Sequence, residues 1–159
     1  MQLLALVVSL VLQHTGMPAG MSHEDHLKQM KDAELNRRGA AAMGFDQHTT
    51  VHHFPITGTG GSIEVEVKDP ADQTSLGAVR AHLQEIAGAF ANGDFDKPFQ
   101  THAEVPPGVP EMQGLKRAIT YKYEETARGG AVRITTSDKA ALQAVHKFLE
   151  YQAREHHAK

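Results

Sequence analysis

Two stretches of the chain alternate apolar and polar residues, and each is followed by a stretch with apolar residues at helical spacing. Residues 62–68, SIEVEVK, place isoleucine and valine on one face and glutamate on the other, which is typical of a strand buried on one side. Over residues 75–91 apolar side chains recur every three or four positions, which predicts an amphipathic helix. Residues 117–137 and 138–157 show the same order of strands and helix.

The two halves are copies of one ββα unit. GGSIEV (60–65) aligns with GGAVRI (129–134), and LGAVRAHL (76–83) aligns with LQAVHKFL (142–149). One such unit cannot bury both a sheet face and a helix stripe, so two units are expected to combine. The repeat therefore predicts an α+β fold, a two-layer sandwich in which a four-stranded antiparallel sheet carries two helices on one face.

The first strand and the connection between the copies are less regular. Residues 50–57, TVHHFPIT, predict a strand in which His52 and Phe54 share a face. Pro55 indicates an edge position, because proline has no N–H to donate to a second neighbour. Residues 94–115 are rich in proline and glycine, which predicts a long loop of a kind that is often functional in a compact domain.

The repeats define one folded domain over residues 45–159. The first copy covers 50–93 and the second covers 116–157. Ahead of this domain, residues 22–44 are charged and sparsely apolar, which predicts a charged helical or flexible N-terminal segment.

Residues 1–21 have the features of a signal peptide. The apolar run at 3–12, LLALVVSLVL, is too short to span a bilayer, and small residues suited to cleavage follow it. The start, Met1-Gln2, lacks the usual positive charge, and the alternative is a buried helix of the mature fold. We expect a periplasmic or secreted protein with no stable membrane insertion after leader cleavage.

Composition narrows the classes of function. The formal net charge is −3 with neutral histidines, so we expect no nucleic-acid binding. The chain has 11 histidines and no cysteine, which excludes disulfides, thiolate zinc sites, iron–sulfur clusters and covalently attached haem. Any metal must therefore be held by histidine, methionine and carboxylates.

Three histidines are predicted to converge at one end of the first copy. His52 is on the core face of the first strand, His82 borders the helix stripe, and His102 is in the long connection. Imidazole suits Zn, Cu and Fe. Met112 and Met43 are soft thioethers nearby in sequence, and Met112 is the expected fourth ligand, which favours copper or a haem iron. The cluster predicts a transition metal (Cu, Zn or Fe) or b-type haem.

The second copy has Tyr121 and Phe148 where the first has His52 and His82. Those are ordinary core residues, so the first copy is expected to have exchanged packing for ligation. The competing interpretation is a pair of core histidines that hydrogen-bond to backbone carbonyls or glutamate.

Other histidines are less informative. His53 is predicted to share the outer face with Glu64 and Glu66 as a second, exposed metal site, although solvated strand polarity is the simpler account. His156 and His157 are predicted to belong to a fraying helix end.

The chain resembles a family of small exported bacterial proteins whose function is not secure. Five motifs carry the resemblance, over Met43 to His156: MGFDQ-x-TT-x-HHF (43–54), VRAHL (79–83), GDF-x-x-P (93–98), PPGVP-x-M (106–112) and AVHKFLEYQ-x-x-EH (144–156). The resemblance implies a fold length and a set of positions rather than an activity. Members sometimes carry an aspartate carbamoyltransferase label, but this sequence lacks the Ser-Thr-Arg-Thr carbamoyl-phosphate motif.

We expect an exported metal- or haem-binding protein that acts as a carrier, sensor or redox accessory. The alternative is a metal-free small-ligand or protein-interaction domain in which the histidines tune packing and pH response. A homodimer through the open face of the sheet is a further expectation. A third interpretation is a small enzyme with Tyr121, Tyr123, Glu124, Glu125 and His102 as acid–base groups, although phosphate-loop and dinucleotide motifs are absent from the sequence.

Overall fold

The computed structural model describes residues 20–156. Most of the predicted signal peptide, residues 1–19, and His157 lie outside the described residues. The chain divides into two compact units, of which the first ends at Ala33 and the second begins at Glu34. The first helix, α1 (His23–Met43), begins with Ser22 accepting the Asp25 N–H at 3.1 Å, a side-chain cap. None of the helices within residues 20–156 is both long and apolar enough to cross a membrane.

The second unit is an α+β fold with two layers, which confirms the predicted fold class. Its strands and longer helices are β1 (Thr50–His53), β2 (Ile56–Thr57), β3 (Gly60–Val67), α2 (Gln73–Ala91), α3 (Asp96–His102), α4 (Val109–Gly114), β4 (Ile119–Thr126), β5 (Gly129–Thr136) and α5 (Lys139–Glu155). The sheet is antiparallel in the order β1-β3-β5-β4, and β2 also pairs with β3. The first copy thus supplies β1, β2, β3 and α2, and the second supplies β4, β5 and α5.

The sheet has five strands rather than the predicted four, because the first predicted strand is divided. Strand β1 ends at His53 and β2 begins at Ile56. Pro55 lies between them and cannot donate a ladder hydrogen bond, while its carbonyl accepts the Ser62 N–H at 3.0 Å. The interruption turns Ile56 out to solvent, with 42% exposure. The buried face that His52 and Phe54 share therefore ends at Phe54.

The two long helices pack on the same face of the sheet. Each begins with an aspartate cap at the same position of the repeat: Asp72 accepts the Ser75 N–H and Asp138 accepts the Ala141 N–H, both at 2.9 Å. The buried side chains of α2 and α5 belong to one core together with the inward valines and isoleucines of β3 and β5. A single hydrophobic core therefore joins the two copies.

Each helix is also tied to a turn in the other copy. The Arg80 guanidinium in α2 donates to the Thr126 carbonyl at 2.8 Å, and His146 Nε2 in α5 hydrogen-bonds the Thr57 carbonyl at 3.0 Å. Arg80 and His146 occupy matching positions of the repeat, and so do Thr126 and Thr57. These contacts follow the internal symmetry and hold the copies together at the helix–sheet seam.

The connection over residues 94–115 is more ordered than the long loop that the sequence predicts. It contains α3 and α4, which are too short to show a clear apolar period. Ala103 adopts the left-handed conformation (φ 57°) and ends α3, while the Gln113 amide donates to the Gly93 carbonyl at 3.0 Å. Tertiary contacts rather than local pattern therefore fix this segment.

The β3–β5 pairing predicts a sharp difference between two glycines. A Cβ at Gly129 would collide with the Val65 carbonyl, whereas a Cβ at Gly77 in α2 meets no atom within 4 Å among the described residues. We expect Gly129→Ala to lower the free energy of unfolding by about 1–3 kcal/mol, because backbone atoms must move. Gly77→Ala should raise it by about 0.5–1 kcal/mol. Urea unfolding of both variants measures this, and equal effects would contradict the close approach.

Candidate functional site

A cavity of about 50 Å³ lies among β1, β3, α2, α3 and α5. Most of its lining is apolar, including Phe54, Leu83 and Phe148. The remaining lining residues are Met43, Lys97, Thr101 and Gln152 together with four histidines, His52, His82, His102 and His156. His52, His82 and His102, which the sequence predicts to converge, therefore line the same cavity.

Secondary structure sets the position of each predicted histidine. His52 lies opposite Val65 in the β1–β3 register, which directs its side chain to the helix-covered face. His82 is on the buried stripe of α2, and His102 is the last residue of α3. All three side chains are buried, with only 8% exposure each.

His156 is a member of the cluster that the sequence interpretation missed. It caps the C-terminus of α5, and its Nδ1 is 2.7 Å from Gln47 Oε1. The available signal was helical spacing, because Phe148, Gln152 and His156 follow one another at intervals of four residues. The predicted fraying end is instead packed against β1.

Ring contacts connect the four imidazoles. The ring centroid of His156 is 5.1 Å from that of His52 and 5.3 Å from that of His102. Phe45 links the fourth imidazole to this set, because its ring centroid is 6.1 Å from that of His52 and 5.7 Å from that of His82. The histidines thus form a continuous aromatic wall around the cavity.

Three ring nitrogens in this wall are buried and have no hydrogen-bond partner among the described residues: His52 Nε2, His82 Nδ1 and His102 Nδ1. An unsatisfied buried polar atom costs about 1–3 kcal/mol. His102 Nε2 is 3.0 Å from Gln152 Oε1 and donates to it as the amide is oriented. That bond fixes the tautomer and leaves Nδ1 of His102 with a lone pair.

Burial keeps these imidazoles neutral. It lowers the pKa of His52 to about 4, and the nearby His82 acts in the same direction. Burial also lowers the pKa of His82 to about 4, aided by the Lys97 ammonium. The pKa of His102 is lowered by burial as well, although its hydrogen bond with Gln152 opposes the shift. At neutral pH the cavity is therefore lined by uncharged nitrogen donors.

Among the lysine, arginine, aspartate and glutamate residues described, Lys97 alone lines the cavity. Its Nζ donates to the Ala42 carbonyl at 3.0 Å and lies 3.4 Å from Glu85 Oε1. Carboxylates do not contribute to the described lining. The electrostatic setting is therefore neutral to slightly positive.

The structure separates two of the predicted ligands from the cavity. Met112 is fully buried in the hydrophobic core and is not part of the lining, whereas Met43 is. His53 lies opposite Glu64 on the other face of the sheet. The thioether available to the histidines is therefore that of Met43, at the end of α1.

Residues 20–156 contain no group of three or more His, Asp or Glu side chains arranged to hold a metal ion as they stand.

The acid–base set of the enzyme interpretation is divided between the two faces of the sheet. Glu124 bonds Arg133 at 3.2 Å on the open face, while Tyr121 packs against the core on the helix-covered face.

The lowered histidine pKa values predict acid sensitivity of the metal-free protein. Below about pH 6.5 the unfolded chain binds protons that folded His52 and His82 do not bind until about pH 4. The contribution of these histidines to the free energy of unfolding is therefore fully present above pH 6.5. It falls as the pH drops toward 4, by about 1.4 kcal/mol per pH unit for each histidine. Urea unfolding with a chelator present measures this slope.

His82→Gln should reduce that slope by about a third to a half, because one of the three buried histidines with a lowered pKa is removed. His53→Gln is the matched control on the opposite face of the sheet and should change the slope far less, because His53 is a smaller cause of the lowered pKa of His52 than burial is. Equal slopes in the wild type and His82→Gln would contradict the assignment.

Comparison of the chain with protein-family models, with curated proteins and with solved structures finds no match. The functional conclusion therefore follows from the geometry of the cavity.

Proposed function

We propose that the histidine-lined cavity binds one copper ion in the Cu(I) state and that the protein is an exported copper carrier. The observation that carries the proposal is the set of three buried, unpartnered imidazole nitrogens around one cavity. A metal ion would satisfy these lone pairs and offset the free energy that their burial costs.

The chemistry of the donors favours copper over harder metals. Imidazole and thioether are ligands of intermediate to soft character, and thioethers select Cu(I). His52, His82 and Met43 supply both types at the same cavity. Mg²⁺, Ca²⁺ and Mn²⁺ prefer oxygen ligands such as carboxylates. The described lining contains no aspartate or glutamate.

The charge of the site favours a monovalent ion. The donors are neutral, and the Lys97 ammonium also lines the cavity. A divalent ion would leave two positive charges with no buried countercharge, and burying uncompensated charge is costly. Cu(I) brings half that charge.

We assign His52 Nε2 and His82 Nδ1 as the primary ligands and the Met43 sulfur as the soft donor. The described residues contain no three imidazoles that converge on one point as they stand. We therefore assign two imidazoles and one thioether, a set that needs fewer histidines to converge. His102 is the further donor, because Gln152 holds its ring with Nδ1 unprotonated. A partner of this kind sets the orientation and tautomer of a ligating histidine.

The size of the cavity favours an ion over haem. A volume of about 50 Å³ is smaller than the engineered cavity of about 150 Å³ that admits benzene. A porphyrin is several times larger than benzene and would enter only if the helices separated from the sheet. A metal ion requires side-chain rotation alone.

The test is anaerobic Cu(I) titration of tag-free protein against bicinchoninate, followed by the colour of the copper–chelator complex. We expect one Cu(I) per chain, and we expect His52→Gln and Met43→Leu each to weaken binding by about tenfold or more, as loss of a ligand would. The wild type should also bind Cu(I) more tightly than Zn(II).

Two matched controls separate ligation from packing. His53→Gln changes the next residue of β1 on the opposite face, and Met112→Leu changes a core methionine away from the cavity. Both should bind Cu(I) as the wild type does. Equal losses in His52→Gln and His53→Gln, or failure of the wild type to bind Cu(I), would overturn the proposal.

A further inference from the structure

The two edges of the sheet differ in how well they are protected from pairing with another strand. At one edge, β1 has four residues, β2 has two, and Pro55 separates them. Short edge strands and proline are the usual means of blocking further pairing. At the other edge, β4 has eight residues that pair with β5 one after another, from Ile119 to Thr126.

The outer side of β4 is therefore a long strand edge with neither of those two devices. Charged residues of β4 such as Lys122 and Glu124 are a third means of limiting pairing, and they act against a strand whose charges do not complement them. In the described part of the chain the pairing partner of β4 is β5 alone. A regular edge of this length presents backbone N–H and C=O groups that can accept another strand. The side chains of β4 are exposed or half-buried apart from Ile119, so access to this edge is not restricted by burial of its residues.

We propose that β4 pairs antiparallel with β4 of a second copy of the chain, about a twofold axis that passes through Tyr123. In this register Lys122 of one copy lies opposite Glu124 of the other, and the reverse pair forms by symmetry. Thr120 likewise lies opposite Thr126. Opposite charges and threonine pairs at facing positions stabilise antiparallel strands.

The charges select this register and this partner. Moving the axis to residue 122 would place two lysines opposite each other, and moving it to residue 124 would place two glutamates together, which is destabilising. One strand thus carries both the lysine and the glutamate of the facing pairs, as an isologous interface, in which the same surface meets itself, requires. Within one chain Lys122 Nζ lies 3.1 Å from Glu124 Oε1, while the lysine side chain keeps 72% exposure. Pairing of the two strands would exchange this contact within each chain for the same charge pair across the strands.

The open face of the sheet is a weaker candidate for the homodimer that the sequence suggested. Its central side chain, Arg133, is already bonded to Glu64 at 2.7 Å and to Glu124 at 3.2 Å within the chain. Pairing through that face would bury these charges, which is costly. Pairing through β4 leaves the open face in solvent and joins the two sheets edge to edge.

The absence of cysteine from the chain allows a direct test. In the proposed register, Tyr123→Cys places the two new thiols opposite each other at about 5 Å between Cα atoms, within disulfide range. Thr120→Cys is the matched control on the same strand, because its two copies lie six residues apart along the strand, at about 20 Å. With oxidised glutathione, Tyr123→Cys should form a covalent dimer and Thr120→Cys should remain monomeric on a non-reducing gel.

Charge reversal tests the same interface without altering the core. Light scattering after size exclusion should show a dimer for the wild-type full chain, and Lys122→Glu should raise its dissociation constant by roughly tenfold or more, because two attractive pairs become repulsive. Adding Glu124→Lys should restore dimerisation, and Lys139→Glu, in the first turn of α5, should have no effect.

A monomeric wild type across the accessible concentrations would overturn the proposal. So would a dimer that Lys122→Glu leaves intact, or crosslinking of Thr120→Cys to the same extent as Tyr123→Cys. Circular dichroism of each variant separates loss of pairing from loss of folding. The proposal is independent of copper binding, since the cavity lining includes no residue of β4.

Discussion

The close antiparallel approach of β3 to β5 is the constraint on which the rest of the second unit depends. A Cβ at Gly60 would collide with the Ile134 carbonyl, and a Cβ at Gly129 would collide with the Val65 carbonyl. The two glycines occupy matching positions of the repeat, so one steric requirement acts twice. This pairing joins β3 of the first copy to β5 of the second, and it therefore brings each long helix over strands of the other copy. The two copies share one hydrophobic core, which neither could form alone.

The sequence was sufficient for the fold because the fold is repeated. Alternation, helical spacing and two aligned blocks predict the strands, the two long helices and their common face. What escaped prediction depends on distant contacts: the division of the first strand at Pro55, and the short helices α3 and α4, which have too few turns to show a period. The position of His156 escaped for the same reason, since only the packing of α5 against β1 brings this chain end to the cavity.

The site follows from a place where two core positions differ in chemistry between the copies. Tyr121 and Phe148 stand where the first copy has His52 and His82. At the second end, Phe90 packs edge-to-face with both, at 5.8 Å and 5.9 Å between ring centroids, and such contacts stabilise a core. At the first end the corresponding space is bounded by imidazoles. The sequence could therefore indicate His52 and His82 as exceptional, but it could not indicate Met43 in place of Met112, because their distances from the cavity are set by tertiary packing.

The internal comparison also bears on the choice between a metal site and a set of core histidines. The same backbone frame accommodates a tyrosine and a phenylalanine at the matching positions, so packing alone does not require imidazole there. Three unpartnered nitrogens at about 1–3 kcal/mol each amount to a large fraction of the net stability of a domain, about 5–15 kcal/mol. The pKa of His52 and of His82, lowered to about 4, keeps both imidazoles neutral at neutral pH, as the proposed binding of a copper ion would require. The destabilised end of the repeat is therefore where a bound ion would contribute most to the stability of the folded chain.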